Sequence, residues 1–349
     1  MHERLVDLLV DPGTHQPLVL ETDEVTGEEV LTGLLRSPGG AQYSITNGIP
    51  RFGVTDDEDQ AQTTRSFAFK WAKRDTFDSP DVLASFGEWL TNRYGFAGPE
   101  DMRRWFHGRE LILDAGCGAG LSASVFLSQN WSGADWIGVD ISTAVDTARE
   151  RLGSSPKIHL VQADLMRLPF AAGTFDTIFS EGVLHHTPST QRALAAVTRA
   201  LRPGGEILFY VYIRKAPARE YMDDYVRDEL AHLSPTDAWA ALRSLTRFGQ
   251  ILSNLEVQVD VPEDVPLLGI RAGQYDIQRL IYYHFAKIFW NDRYSFEENV
   301  HVNFDWYHPR YAHRQTPDEV RVWCAQLGLE VWHLHLDPSG ITVRATKRG

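Results

Sequence analysis

The sequence predicts an α/β protein with a doubly wound, mostly parallel sheet, a small β-rich module at the front and a helical cap inserted late in the chain. Two observations predict the sheet. Strand-like and helix-like stretches alternate over residues 111–212, at the spacing of parallel strands joined by crossover helices. An apolar strand at 111–115 also leads into a glycine-rich turn, which is typical of the first strand in such a sheet.

The composition of the 349-residue chain argues against several classes of protein. The longest apolar run, Ile207 to Ile213, is far too short to cross a membrane. Two cysteines, Cys117 and Cys324, cannot form a disulfide framework, and they favour a reducing cytoplasm. The net charge of −13 argues against a nucleic-acid partner, because binding to phosphates normally needs a basic surface.

Residues 1–55 are predicted to form a small β-rich module. Short apolar stretches there are separated by Gly and Pro turns, as in a series of short strands. Residues 1–64 contain 12 acidic and 3 basic residues, so most of the negative charge lies in the first fifth of the chain. The acidic run at 56–60 is typical of a solvated linker.

The rest of the chain divides into four segments. Residues 62–110 have a helical pattern rich in aromatic residues and are predicted to form a lid. Residues 111–212 form the α/β core, with strand candidates at 111–115, 135–140, 157–162, 175–180 and 205–212. The alternation then stops, and residues 213–316 are predicted to be a mostly helical substrate cap. A capping box begins residues 317–349, which should supply the last helix and a closing strand pair of the core.

The strongest chemical signal is the glycine-rich turn Asp114-Ala115-Gly116-Cys117-Gly118-Ala119-Gly120. Glycine lets the backbone approach a ligand where a Cβ would clash. The dinucleotide fingerprint needs a glycine at its sixth position, where this chain has Leu121. The carboxylate of Asp114 would repel a pyrophosphate but would suit a ligand with an ammonium and a sulfonium group. The turn therefore favours S-adenosylmethionine over NAD as the cofactor.

Polar residues follow the next three predicted strands in order. Asp140 ends the second strand, where its carboxylate can accept both ribose hydroxyls. Asp164 follows the third strand and can accept a hydrogen bond from the adenine amino group. The fourth strand leads to Glu181 and then to His185-His186. A single acidic residue at a strand end is often only a helix cap, but a series on one alternating sheet predicts a ligand site.

Residues 105–212 resemble the class I S-adenosylmethionine-dependent methyltransferases. The glycine-rich turn matches the cofactor loop of that family, Asp140 its ribose-binding acid and Asp164-Leu165 its adenine contact. Leu201-Arg202-Pro203-Gly204-Gly205 matches the turn before its fifth strand. The resemblance implies a seven-stranded sheet whose last strand is antiparallel. It implies that the cofactor is bound by Asp114, Gly116, Cys117, Gly118, Gly120, Asp140, Ile141, Asp164, Leu165 and Glu181.

The front module resembles a small zinc-ribbon-like domain, on the sequences Leu8-Leu9-Val10-Asp11-Pro12 and Tyr43-Ser44-Ile45-Thr46-Asn47-Gly48-Ile49-Pro50. That domain occurs alone as an activator of methyltransferases and is fused to others. Its usual metal ligands are paired cysteines, and no cysteine precedes Cys117. The resemblance therefore implies a degenerate ribbon without metal, and no metal site is expected elsewhere.

Several residues outside the loop are candidates for the active site. Trp71 is predicted to fold over the cofactor, because aromatic faces attract a sulfonium cation; the alternative is ordinary packing of a lid helix. His185 or His186 is the candidate general base, with a structural role as the alternative. In the cap, Asp305 and Tyr307 are predicted to reach the pocket.

These observations predict a methyltransferase that acts on a small organic acceptor, with a hydroxyl oxygen favoured and a sugar or secondary metabolite as the candidate substrate. Three alternatives remain open. One is an RNA methyltransferase that docks through the front module. The second is a non-catalytic partner protein that has kept the methyltransferase fold, and the third is an NAD enzyme. The sequence leaves open whether the chain forms a homo-oligomer.

Overall fold

The computed structural model describes residues 1–53, 55, 57–127, 131–153 and 155–349. Its strands are β1 (Val19–Thr26), β2 (Glu29–Arg36), β3 (Gln42–Thr46), β4 (Ile49–Arg51), β5 (Leu111–Ala115), β6 (Asp135–Asp140), β7 (Ile158–Gln162), β8 (Phe175–Glu181), β9 (Leu201–Tyr212), β10 (Gln258–Val261), β11 (Gly273–Asp276), β12 (Leu329–Leu336) and β13 (Gly340–Lys347). Its α-helices are α1 (Glu58–Ala72), α2 (Pro80–Arg93), α3 (Pro99–His107), α4 (Leu121–Phe126), α5 (Ala144–Leu152), α6 (Thr190–Ala200), α7 (Pro217–Ala231), α8 (Pro235–Ser253), α9 (Ile277–His284), α10 (Phe296–Tyr307) and α11 (Pro317–Gln326).

One large sheet organises the molecule, in the order β1-β2-β3-β4-β7-β6-β5-β8-β9-β13-β12. Strands β7, β6, β5, β8 and β9 are parallel, and β13 runs antiparallel to both of its neighbours. The predicted α/β fold and the antiparallel last strand are thus confirmed. The sheet has 11 strands rather than the seven that the resemblance implies.

The four additional strands belong to the front of the chain. Strands β1 to β4 pair in antiparallel fashion, and Arg51 of β4 pairs in parallel with Gln162 of β7. The Phe52 N–H also donates to the Gln162 carbonyl at 2.8 Å. The front strands therefore cover the edge of β7, which would otherwise present unpaired backbone groups.

The front of the chain also shares its hydrophobic core with the rest of the sheet. Leu5, Leu35 and Phe52 belong to the same buried cluster as Val161 and Phe170. The β-rich front of the chain is present, and apolar side chains of its strands are buried against the core. The domain boundary at residue 55 stays a prediction.

The acidic run at 56–60 is not a linker over its described part, and Asp56 lies outside the described residues. Asp57 is the N-cap of α1, and its Oδ1 accepts a hydrogen bond from the Gln60 N–H at 2.8 Å. Helix α1 begins at Glu58, and Gln60 is already buried. Acidic residues stabilise the first turn of a helix because they face its positive end.

The late insert is mostly helical, as predicted, with α7 to α10 and one unpredicted hairpin of β10 and β11. Its helices pack against the end of β9, where Tyr210 and Tyr212 share a buried cluster with Trp239 and Phe304. In the part of the chain that the structure describes, no helix has both the length and the apolar character needed to span a bilayer.

Candidate active site

A cavity of about 570 Å³ lies between the carboxyl ends of the central strands, helix α1 and the insert. We call one end of it the loop half, which is lined by Gly116, Gly118, Asp140, Ile141, Asp164 and Leu165. We call the other end the insert half, which is lined by Tyr212, Lys215, Arg219, Lys287, Asp305 and Trp306. Both sets line a single cavity.

Two glycines of the loop have conformations and surroundings that exclude a side chain. Gly116 has a φ of 88°, and a Cβ there would lie 2.3 Å from the side chain of Val183. Gly118 has a φ of 52°, and a Cβ there would lie 2.8 Å from Trp71 Nε1. These positions need glycine for backbone conformation and for space.

The other two loop residues have structural roles. Gly120 does not line the cavity; it is the left-handed N-cap of α4, and a Cβ there would crowd Ala148 and Leu152 of α5. Cys117 lines the cavity but is buried, and burial raises the pKa of its thiol well above the usual value. A thiol that stays protonated is a poor nucleophile, so Cys117 fills space beside the loop.

Two carboxylates of the loop half are held by backbone amides. Asp140 accepts hydrogen bonds from the Gly118 N–H at 3.0 Å and from the Ser142 N–H at 2.8 Å. Asp164 accepts one from the Met166 N–H at 2.8 Å. Burial raises the pKa of both carboxyls.

This donor and acceptor set fits S-adenosylmethionine. A carboxylate has about four acceptor positions. Asp140 also accepts a bond from the Ser142 hydroxyl at 2.7 Å, so it can accept one further bond from a ribose hydroxyl, and Asp164 can accept one from an amino group. The glycine loop leaves room for the cofactor beside these two carboxylates, and Ile141 and Leu165 form apolar walls of the cavity.

Asp114 lies outside the cavity. Its side chain is buried, and its Oδ2 accepts a hydrogen bond from the Trp136 Nε1–H of β6 at 3.3 Å. Burial raises its pKa to about 7. The structure therefore does not bring this carboxyl to the ligand surface, in contrast to the expectation that it faces an ammonium group. Both faces of a parallel sheet are covered, so a strand residue is buried on either side.

Glu181 also lines the cavity. Its carboxylate forms an ion pair with Arg93 and accepts a hydrogen bond from the Tyr94 hydroxyl at 2.8 Å. The Arg93 guanidinium lies between the rings of Trp89 and Tyr210, 3.5 and 3.7 Å from their centres. Arg93 and Tyr94 come from helix α2 and its end, and no local motif indicated that they would meet Glu181.

Trp71 lies against Gly118 of the loop and lines the cavity, and its contact with the cofactor stays a prediction. The ammonium group of its neighbour Lys70 lies 3.9 Å from the centre of one of its rings. One face of the indole is thus already in contact with a cation of the chain itself. Lys70 also forms an ion pair with Asp305 of α10, so helix α1 contacts both halves of the cavity.

The structure separates the two predicted histidines. His186 lines the cavity, and burial lowers its pKa to about 4. His185 does not line it; its ring stacks on Tyr212 with 3.7 Å between ring centres. Neither nitrogen of His185 has a hydrogen-bond partner among the residues that the structure describes, and burial lowers its pKa well below the usual value. His185 therefore has a packing role.

The structure also separates Asp305 from Tyr307. Asp305 lines the cavity and accepts a hydrogen bond from the Tyr212 hydroxyl at 3.2 Å. Although burial alone would raise its pKa, the neighbouring Lys70 holds the pKa of Asp305 well below the usual range. Tyr307 is buried outside the cavity and donates to Asp223 at 2.8 Å, so the expectation that it reaches the pocket is wrong. Residues two apart on a helix point to opposite sides.

The sequence analysis missed three cations of the insert half, Lys215, Arg219 and Lys287. They come from the connection between β9 and α7, from α7 itself and from the segment after α9. None of the three lies in a recognisable sequence motif, and they come together only in the folded chain.

Residues 113–209 match a protein family described as "Methyltransferase domain". A chloroplastic methyltransferase of Arabidopsis thaliana is 32% identical over 37% of this chain and 40% of its own length. The demethylmenaquinone methyltransferase of Symbiobacterium thermophilum is 29% identical over 46% of this chain and 62% of its own. The chain thus spans less than two thirds of these relatives. A solved S-adenosylmethionine-dependent methyltransferase from Mesorhizobium loti covers 70% of this chain and 96% of its own, with 18% identity and a TM-score of 0.42.

The matched segment runs from β5 to β9 and includes the glycine loop, Asp140 and Asp164. These are the residues whose geometry fits the cofactor. Residues 113–209 are therefore a methyltransferase domain, and S-adenosylmethionine is its cofactor.

Proposed function

We propose that the whole protein transfers the methyl group of S-adenosylmethionine to a small organic acceptor, with a hydroxyl oxygen as the favoured acceptor atom. One observation carries this proposal: a single cavity joins the loop half, which fits the cofactor, to the insert half, which has room for a second molecule. A cavity of about 570 Å³ has the size of a small-molecule site. A sugar or a secondary metabolite would fit within it.

The bound cofactor supplies the electrophile, its sulfonium methyl group. Asp140 and Asp164 would hold the ribose and the adenine, and the glycine loop would lie along the rest of the molecule. The insert half would orient the acceptor beside it. Helix α1 and the insert line the cavity and would shield both ligands from water, which would favour the displacement by positioning and desolvation.

His186 is the proposed base for a hydroxyl acceptor. Its Nδ1 donates to the Tyr311 carbonyl, so in the neutral ring Nε2 carries the lone pair that can take a proton. Burial lowers its pKa to about 4, and the nearby Asp305 carboxylate opposes that shift. Asp305 would stabilise the imidazolium that forms during transfer.

The alternatives find less support. An RNA substrate would need a basic docking surface, and the front strands are strongly acidic and belong to the main sheet. One relative is named for a small acceptor, demethylmenaquinone. The resemblance of residues 1–55 to a metal-free ribbon, the domain boundaries and a cytoplasmic location stay predictions.

The test combines binding and product analysis with the full chain. Calorimetry should show binding of S-adenosylmethionine and no tight binding of NADH. A thermal-shift screen of small hydroxylated compounds with the cofactor, followed by mass spectrometry, should then find a product heavier by one methylene unit. Replacing His186 with Gln should lower kcat and leave cofactor affinity unchanged, whereas the exposed control His232→Gln should change neither.

Each other outcome would reject the proposal in a different way. A chain that does not bind S-adenosylmethionine would be a non-catalytic partner, and tight binding of NADH would indicate an NAD enzyme. Methylation of RNA in preference to every small compound would establish the docking alternative. Unchanged kcat in His186→Gln would remove the base and leave the methyl transfer itself standing.

A further inference from the structure

We infer that the insert half of the cavity binds an anionic group, a carboxylate or a phosphate, carried by the acceptor on an apolar body. This inference rests on the proposed function in taking the bound molecule to be the methyl acceptor. It adds the chemical class of that acceptor, which neither the glycine loop nor the family match indicates.

Three cations that line the cavity lie around the indole of Trp306 in the insert half. The Nζ of Lys287 lies 4.7 Å from the centre of a Trp306 ring. The Nζ of Lys215 and the Cζ of Arg219 both lie 5.3 Å from a Trp306 ring centre. All four residues line the cavity. This concentration of positive charge occurs in a chain with a net charge of −13, so it does not reflect the average composition.

The carboxylates in this region are already in use by other groups. Asp223 forms an ion pair with Arg219 at 2.6 Å and accepts hydrogen bonds from Trp306 and Tyr307 at 2.8 Å each. Asp305 forms an ion pair with Lys70 and accepts a bond from Tyr212. Neither carboxylate forms an ion pair with Lys215 or Lys287.

The two lysines therefore lack carboxylate partners of their own. The ammonium group of Lys215 donates only to backbone carbonyls, those of Pro338 and Ser339 at 2.6 and 2.7 Å. For the ammonium group of Lys287, the described residues provide neither a hydrogen-bond acceptor nor an ion-pair partner within contact distance. Lys287 nevertheless lines the cavity, where a ligand can reach it.

Burial of unpaired ammonium groups is unfavourable, and an anion would offset that cost. Burial lowers the pKa of both Lys215 and Lys287 to about 7. Neighbouring cations add to this shift at Lys215, whereas at Lys287 the Asp305 carboxylate partly opposes it. A carboxylate or phosphate beside them would favour their charged forms and form charge-assisted hydrogen bonds. The ligand that best complements these groups is thus negatively charged.

The remaining residues of the insert half indicate the chemistry of the uncharged part of the same ligand. Aromatic rings of Tyr212, Tyr282, Phe289 and Trp306 line the cavity beside the cations. Such walls bind apolar or aromatic groups. A neutral sugar would use neither the charges nor most of these rings, so the acceptor class becomes an acid with an apolar or aromatic body.

The test uses calorimetry on the full chain with three probes: benzoate, phenyl phosphate and neutral benzyl alcohol. Both anions or one of them should bind, and benzyl alcohol should bind at least about tenfold less tightly, a difference of about 1.4 kcal/mol, because hydrogen bonds to charged groups are stronger than those between neutral groups. Benzoate alone would identify a carboxylate site, and phenyl phosphate alone a phosphate site. Equal binding of the neutral probe would overturn the inference.

Substitutions of Lys287 distinguish a role as a positive charge from a role as a base. Replacing Lys287 with Met should weaken binding of the anion roughly tenfold or more, and Lys287→Arg should retain most of it, because arginine keeps the charge and cannot act as a base at neutral pH. Equal losses in both variants would overturn the inference in favour of a proton-transfer role. Lys215→Met provides a second test if Lys287→Met does not fold. The control Lys157→Met, at an ion pair with Asp135 outside the cavity, should bind the probes normally.

Cofactor binding, measured separately, distinguishes the failure of this inference from that of the proposed function. Anion binding without S-adenosylmethionine binding would leave the anionic site standing and reject the methyltransferase. Cofactor binding with neither anion bound would reject the anionic site alone.

Discussion

The loop half of the cavity takes its residues from short stretches of sequence, whereas the insert half collects them from distant ones. Gly116 and Gly118 are two residues apart, and Asp140 and Asp164 each follow a strand of the same sheet. Lys215, Lys287 and Asp305 come from three different segments. A ligand site at the carboxyl ends of parallel strands can be recognised from a sequence motif. A site formed by helices packed above those strands is recognised only from the tertiary structure.

The two halves also differ in electrostatics, although one physical cause acts in both. Burial raises the pKa of Asp140 and Asp164 in the loop half. It lowers the pKa of Lys215 and Lys287 in the insert half. In each case the charged form is disfavoured by the loss of water. The loop half therefore suits hydroxyl and amino donors, and the insert half suits an anion.

Deletion of residues 1–55 should have the largest effect, because it removes the strands that support the loop half. Buried side chains such as Leu5, Leu35 and Phe52 each contribute about 1.5–3 kcal/mol. Together they represent a large part of the stability of a typical domain. We expect the truncated chain to lose its cooperative unfolding transition, followed by circular dichroism, and its cofactor binding. The control Val19→Ser, at an exposed position of β1, should keep both, and a truncated chain that binds cofactor would support the separate module.

Among the single substitutions considered, Glu181→Ala should cause the largest loss in the free energy of unfolding. It leaves Arg93 buried without its carboxylate, and removal of one partner from a buried ion pair costs about 3–5 kcal/mol. Urea denaturation should measure this loss in the free energy of unfolding. The control Glu110→Ala removes an exposed ion pair with Arg202 and should have little effect. Equal effects of the two substitutions would mean that the Arg93 pair is not buried in solution.

Asp140→Ala should weaken the loop half specifically. It removes an acceptor for the ribose hydroxyls and the bond to the Gly118 amide, so cofactor affinity should fall by roughly 1.5–3 kcal/mol. Calorimetry with S-adenosylmethionine measures the change, and the exposed Asp237→Ala serves as the control. An unchanged affinity would show that the ribose lies elsewhere.

His185→Phe should have the smallest effect, and it should depend on pH. Burial lowers the folded-state pKa of His185 below its unfolded value of about 6.5. The stability contributed by the neutral ring is thus fully present above pH 6.5, and it falls as the pH drops from 6.5 towards the folded pKa, because only the unfolded chain takes up the proton. Denaturation at several pH values should show that His185→Phe removes a slope of about 1.4 kcal/mol per pH unit. The control His232→Phe should retain the slope of the wild type, and the same slope in His185→Phe would mean that His185 is protonated in the fold.

The alternation of strands and helices along the chain could be predicted from the sequence. The direction in which individual side chains point, and the contacts between distant segments, could not. The core strands from β5 to β9 and the glycine loop follow from alternation and from backbone chemistry. Asp305 was predicted together with Tyr307, and only one of them can face the cavity because they are two residues apart on α10. The pairing of β4 with β7 depends on the exposed edge of the core sheet, and no local sequence pattern predicts which strand will cover that edge. The meeting of Arg93 with Glu181 likewise joins residues that are 88 positions apart.

Helix α1 carries one further consequence. Lys70 holds Asp305 of the insert half, and the next residue, Trp71, lies over Gly118 of the loop half. A displacement of this one helix would loosen both contacts together, so two adjacent side chains tie the loop half and the insert half to the same element.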